Sequence, residues 1–225
     1  MIDKRVDSVA AAIADIGDGA TIMLSGFQGA GAANALIRGV IESGAKDLKV
    51  ISNGAGHPGS AQAALMATGQ VVRLVCSSAR GRGREPTPFE TLWHEGKIEL
   101  ELVPQGSLAE RIRAGGAGIP AFYTPTGTGT DLTAGKETRR FNGRDCVLET
   151  ALTADFTLLR ALRGDRWGNL MFRGTQANFG PVMASAATVA IAEVEEIVPD
   201  GTLDPQAVHT SGIFIDRIVA VPENG

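Results

Sequence analysis

The chain has 225 residues, of which 44% are hydrophobic and 20% charged, enough apolar material to bury a core and too much for a disordered chain. Its 21 basic side chains against 25 acidic ones leave a net charge of −4, so no basic field spans the sequence to hold nucleic acid or an anionic membrane. Asp3, Asp7 and Asp15 interrupt the N-terminal segment and nowhere do about 18 apolar residues run together, so the expectation is a cytoplasmic protein with no membrane span.

Taken in chain order, Ile2, Val6, Val9, Ala10 and Ile13 follow helical spacing and predict a first helix ending at Gly17. Thr21 to Leu24 is a buried strand, Ser25 to Gly31 a glycine-rich loop, and Leu36, Ile37, Val40 and Ile41 restore helical period before Gly44. The unit repeats as a strand from Leu48 to Ser52, a loop from Asn53 to Gly59, a helix to about Thr68 and a strand from Val71 to Ser77. Continuous apolar strands alternating with helices predict an α/β fold: an open, mainly parallel sheet with helices on both faces.

Arg80 to Pro86 reads as an exposed loop, followed by a short helix carrying Phe89, Leu92 and Trp93. Ile98, Leu100 and Leu102 alternate with Glu99 and Glu101, which predicts a strand with one wet face, and Ser107 with Glu110 matches a capping box opening the next helix. Pro120 to Gly129 reads as loop. Asn142-Gly143 predicts a type I′ hairpin and thus a small antiparallel subregion. Phe156 to Leu162, then Val189, Ile191 and Val194, then Ile213, Ile215, Ile218 and Val219 supply the closing strands. No linker divides the chain and no repeat of about 20–50 residues stands out, so residues 1–225 are read as one domain.

Several chemistries are disfavoured by the motifs. From Gly29 the loop lacks the third glycine of a dinucleotide fingerprint, and the second strand ends in Ser52-Asn53 rather than in a ribose-binding acid. No Walker loop, Gly-x-Ser-x-Gly elbow or His-Glu-x-x-His pair is present. Cys76 and Cys146 lie in apolar runs as buried thiols, and His57, His94 and His209 read as loop or surface imidazoles. No metal or bound organic cofactor is expected. The remaining polar groups sit on strand-end loops at Gly26 to Gly31, Asn53 to Gly56, Ser77 to Arg84 and Gln105-Gly106. In an open parallel sheet, such loops converge on a ligand cleft.

The run from Asp18 to Phe27 resembles the Gly-Gly-Phe signature of the A (alpha) subunit of family I coenzyme A transferases. Ser52 to Gly56, Val103 to Gly106, Leu108 to Tyr123 and Asp165 to Leu170 are similar to that family as well, so the resemblance covers about residue 3 to residue 221. It implies the CoA-transferase and sugar-phosphate isomerase-like fold, and the A (alpha) subunit of a succinyl-CoA:3-oxoacid CoA-transferase that moves CoA by a ping-pong course. The attacking glutamate of the family lies on the B subunit, in a Ser-Glu-Asn-Gly motif. Glu223-Asn224-Gly225 of this chain reads as a terminal tail instead. The chain alone is therefore expected to be inactive and to work in an A2B2 or similar assembly, with CoA entering as a substrate.

Residue by residue, the resemblance places Asn53 and Gln105 as amides facing a carboxylate or an oxyanion. Gly26, Phe27, Gln28, Gly29 and Gly31 become the loop that shapes the substrate site. Cys76-Ser77-Ser78-Ala79-Arg80 is similar to the Cys-Ser-x-x-Arg of 3-oxoadipate members, so Arg80, or Arg82 or Arg84 beside it, is the candidate reader of a distal carboxylate. Ser25, Ala33 and Gly54 depart from the family's glycine, proline and second asparagine. An acetoacetate or short-chain acid transferase is the alternative within the family, and a metabolite-sensing binding module of related fold the alternative outside it.

Overall fold

The computed structural model describes residues 2–81 and 83–221. Arg82 and the Glu223-Asn224-Gly225 run lie outside the described residues. The strands are β1 (Thr21–Leu24), β2 (Leu48–Ser52), β3 (Val71–Cys76), β4 (Glu99–Leu102), β5 (Ala121–Thr124), β6 (Thr138–Phe141), β7 (Arg144–Thr150), β8 (Ala154–Gly164), β9 (Leu170–Met171), β10 (Ala187–Ile197) and β11 (Arg217–Ala220). The helices are α1 (Val9–Ala12), α2 (Asn34–Ser43), α3 (Ala61–Ala67), α4 (Pro88–His94), α5 (Gln105–Gly116) and α6 (Gly180–Ala184).

The main sheet runs β11-β10-β8-β1-β2-β3-β4 with every pair parallel, and β9 folds back antiparallel on β8. Its strands are apolar on both faces because both faces are covered. Ile22, Leu24 and Val50 pack with Leu36 and Ile37 of α2, Leu65 of α3 and Phe89 of α4. Met23 and Ile51 pack on the other face with Leu108 and Ile112 of α5 and Met183 of α6. Ser60 caps α3 through the amide of Ala63, and Thr87 with Glu90 forms a full capping box on α4.

β5, β7 and β6 form a separate antiparallel sheet. Asn142 and Gly143 make the predicted two-residue hairpin, both at positive φ (48° and 78°). Arg111 of α5, only 5% exposed, joins this sheet to the main one. Its guanidinium donates to Glu101 Oε1 at 2.6 Å and to the Thr150 carbonyl at 2.7 Å, and lies 3.7 Å from Glu149, which Lys136 grips at 2.6 Å.

Five local expectations are corrected. The first helix spans only Val9–Ala12, because Arg5 bridges to Ile218 and the Val6 amide donates to the Ile218 carbonyl, adding the segment to the sheet edge. α5 starts at Gln105 rather than at a Ser107 cap; Pro104 is its N-cap, the Ser107 hydroxyl is buried without a partner among the described residues, and Glu110 pairs with Arg113. The wet face of β4 is not wet throughout. Glu101 is drawn inward by Arg111 and Arg73 while Leu102 is left 39% exposed. The loop expected after Pro120 contains β5, paired to β7. Ile213 belongs to a 3-10 turn and is 81% exposed, so the last strand begins at Arg217.

Candidate active site

The loops after β1, β2 and β3 meet at the carboxyl ends of their strands around a cleft of about 230 Å³. Gly26, Gln28, Gly29, Asn53 and Arg80 line it, so five of the eight candidate residues are brought together. Phe27 points outward at 41% exposure, Gly31 faces a neighbouring hollow, and Gln105 stands behind Asn53. Arg84 is exposed and does not reach the lining.

Asn53 is 7% exposed at the end of β2. Its Oδ1 accepts from Gln105 Nε2 at 2.7 Å and from Ser77 Oγ at 3.0 Å, and Ser77 Oγ also lies 2.9 Å from the Asn53 carbonyl. With the carbonyl end of the amide held on two sides, Nδ2 is the end left over, and it donates to no group among the described residues. Gln105 therefore orients Asn53, and its own Nε2 is occupied in doing so.

The glycine loop is clamped. Ser25 Oγ donates to the Gly31 carbonyl at 2.7 Å across the loop, a bond that a glycine at position 25 could not make. Gly31 sits at φ +72°, and a Cβ there would lie 2.5 Å from the Gln176 carbonyl oxygen. Gln28 holds the left-handed region at φ 52° without being glycine, a costly conformation in the wall of the cleft. At Gly54 a Cβ would approach the Ser78 carbonyl to 3.0 Å, and the Gly54 carbonyl is gripped by Gln62 Nε2 and Ser52 Oγ. Gly54 thus lets the β2 and β3 loops close on each other.

Arg80 is exposed and makes no ion pair among the described residues. The nearby Glu90 is committed to its capping box, where the Thr87 amide and then the hydroxyl hold its carboxyl below the ordinary value despite partial burial, with the Gly81 amide and the charge of Arg80 adding to this. No lining residue among those described is an aspartate or glutamate. The cleft offers one guanidinium, side-chain amides and backbone N–H groups, which is an anion-accepting surface. Among the described residues it carries no acidic nucleophile, and burial pushes the thiol of Cys76 up to about 11, which disfavours the thiolate.

Among the lining residues that sequence reasoning passed over are His57 and Gln62. His57, read as a bland loop imidazole, lies against Gly29 with Nδ1 3.1 Å from the Pro58 carbonyl. Gln62 was hidden inside an alanine-rich helix, and only its place in the first turn of α3 signals that it can reach the loop. The Asp165 to Asn169 motif is a turn rather than a site: Asp165 accepts from the amides of Trp167 and Asn169 at 3.0 Å, and Asn169 accepts from the Gly212 amide.

Over residues 6–221 the sequence matches the coenzyme A transferase family. The chain belongs to that family. It is 52% identical over 221 residues to the A subunit of 3-oxoadipate CoA-transferase from Pseudomonas putida, covering 98% of this chain and 95% of that one. It is 51% identical over 222 residues to the A subunit of succinyl-CoA:3-ketoacid coenzyme A transferase from Xanthomonas campestris pv. campestris, covering 98% and 90%. The fold is also that of an acyl-CoA transferase from Escherichia coli O157:H7, with a TM-score of 0.86 at 21% identity over 99% of this chain and 48% of that one. That Escherichia coli chain is thus about twice the length of this one.

Proposed function

We propose that the chain is the A subunit of a succinyl-CoA:3-oxoacid CoA-transferase with 3-oxoadipate as its acid acceptor. The observation that carries this reading is a strand-end cleft whose Asn53 Nδ2 and Arg80 make, among the described residues, no hydrogen bond and no ion pair respectively, and whose described lining holds no carboxylate. A carboxylic acid substrate finds donors there and no carboxylate among the described lining residues, while the nucleophile has to come from elsewhere. Similarity to the A subunits of two transferases of this reaction class supports the same reading.

The partner, a B subunit in an A2B2 or similar assembly, supplies a glutamate. Its carboxylate oxygen bonds to the succinyl carbonyl carbon as the C–S bond breaks, giving an acyl-glutamyl anhydride and CoA thiolate. The thiolate then attacks the glutamyl carbonyl and succinate leaves, so the glutamate holds CoA as a thioester until the 3-oxo acid reverses the two steps. Asn53 Nδ2 donates to the oxygen on which charge gathers, Gln105 holds Asn53 in that orientation, and Gly26, Gln28 and Gly29 form the opposite wall. CoA is a substrate, and the chemistry calls for no resident cofactor.

Arg80 distinguishes 3-oxoadipate, which has a second carboxylate, from acetoacetate, which lacks one. In the co-purified complex, Arg80→Ala is expected to raise KM for 3-oxoadipate by about tenfold, the lower end of a charge-assisted hydrogen bond for an exposed side chain, and to leave acetoacetate unchanged. The same ratio of turnover for the two acids in wild type and variant removes Arg80 from the reading and favours the acetoacetate alternative. CoA transfer by the isolated chain would overturn the assignment of the nucleophile to the partner.

A further inference from the structure

The glycine loop that walls the cleft is governed from behind by a group that never reaches it. α2, which follows the loop, starts without a cap of its own, since Ala33 at its N-cap offers no side-chain hydrogen bond. The first amides of a helix need partners. Glu193, on β10 one strand in from the sheet edge and 0% exposed, reaches across to provide one: its Oε2 accepts from the Leu36 amide at 2.9 Å. Its Oε1 accepts from Arg160 Nη1 at 3.0 Å, Arg160 Nη2 donates to Glu195 Oε1 at 3.2 Å, and Gln176 Nε2 lies 3.4 Å from the same oxygen.

The chain of contacts returns to the loop. The Gln176 carbonyl is the atom that a side chain at Gly31 would strike, and Asn178 Nδ2 donates to the Ala30 carbonyl at 2.9 Å. The glycine loop is therefore held at its exit by Glu193 through the first turn of α2, and along its outer edge by the segment 176–178. A buried carboxylate paired with an arginine costs desolvation that an apolar pair would avoid. Neither Glu193 nor Arg160 lines the cleft.

We propose that Glu193 is a positioning residue for CoA transfer, fixing the first turn of α2 and thereby the distance of the Gly26–Gly29 wall from Asn53. It touches no substrate. The inference rests on the transferase reading of the cleft for its kinetic consequence and on the fold alone for its mechanical one.

The test uses the complex of the two subunits and three variants. Glu193→Ala removes the cap, Glu193→Gln keeps an acceptor of the same shape, and Asn178→Ala releases the loop at Ala30 without disturbing a buried charge. In Glu193→Ala, kcat/KM for the acid acceptor is expected to fall tenfold or more and amide exchange over residues 27–32 to quicken several-fold. Glu193→Gln should recover most of both, and Asn178→Ala should show a smaller change in the same two readouts. Should Glu193→Ala fail to fold, the other two variants decide. Unchanged exchange at 27–32 in folded Glu193→Ala overturns the proposal, as does unchanged exchange in Asn178→Ala where Glu193→Ala does not fold, or a fall in activity in either without any change in exchange. A wild-type complex that transfers no CoA would defeat the transferase reading, while the exchange experiment would still score the clamp.

Discussion

Of the helices that begin at the carboxyl-terminal edge of the sheet, α3 and α4 carry capping side chains, whereas α2 and α5 have none at their own N-caps. At α2 the deficiency is met from inside the core by Glu193, so that corner is sealed and serves as scaffold. At α5 nothing comparable arrives. The Ser107 hydroxyl in its first turn is buried without a partner among the described residues, and Gln105 reaches out to hold Asn53. One corner therefore fixes a stretch of backbone and the other aims a side chain. Glycines suit the first task because they allow close approach, whereas the second needs amides, which can accept on one side and donate on the other.

The sharpest way to break this division is Asn53→Asp. The substitution keeps oxygen acceptors for Gln105 and Ser77 and nearly the same shape, but puts an anion where the donor faces the acid substrate. A loss of about a thousandfold in kcat/KM of the complex is expected, against roughly a hundredfold for Asn53→Ala, the range for removing a donor to developing charge. Thermal unfolding should show Asn53→Asp folded. Full activity in that variant would mean that Asn53 serves only the turn.

Gln105→Ala is the next step down, at about tenfold, the worth of one lost orienting hydrogen bond. Its value lies in the double variant. If Gln105 acts only through Asn53, adding Gln105→Ala to Asn53→Ala costs nothing further in kcat/KM. If the two losses multiply, Gln105 meets substrate itself, and the two corners are less distinct than the geometry makes them.

The sheet was legible in the sequence because its strands are largely buried on both faces, so β1, β2, β3, β8 and β10 announce themselves as mainly apolar runs broken by few charges. The hairpin at Asn142-Gly143 was equally plain, since positive φ at both positions leaves few other residues possible. The failures lie where tertiary contacts override local pattern. Ile2 and Val6 keep helical spacing, yet the open edge of β11 captures Arg5 and Val6. Ser107 and Glu110 have capping-box spacing, yet Pro104 starts the helix earlier and turns the serine inward. At the site, loop position identified Asn53, Gly26, Gln28, Gly29 and Arg80 as neighbours. The direction of the Gln105 amide and the role of Glu193 depend on partners 52 and 157 positions away, which no local spacing encodes.

The smallest expected effect sets Glu193 against Glu101, two carboxylates that each pair with an arginine. Burial pushes the Glu193 carboxyl up, and the Leu36 amide and Arg160 offset it only in part, so it lies above its ordinary 4.5. For Glu101 burial also acts upward, but hydrogen bonds from Arg111 and Arg73 outweigh it and hold the carboxyl below 4.5. The consequences for stability have opposite sign. Glu101 contributes stability above its unfolded value and loses it as pH falls through the lower folded one, whereas folding around Glu193 favours the protonated form, so stability declines as pH rises from 4.5 toward the raised folded value. Tm measured against pH should show this as differences of a few degrees: Glu101→Gln flattens the acid limb, and Glu193→Gln flattens the fall above it. Identical pH profiles for the two variants would mean that the sealed corner and the arginine-bridged one meet the same electrostatic surroundings, and that burial does not separate scaffold from surface in this fold.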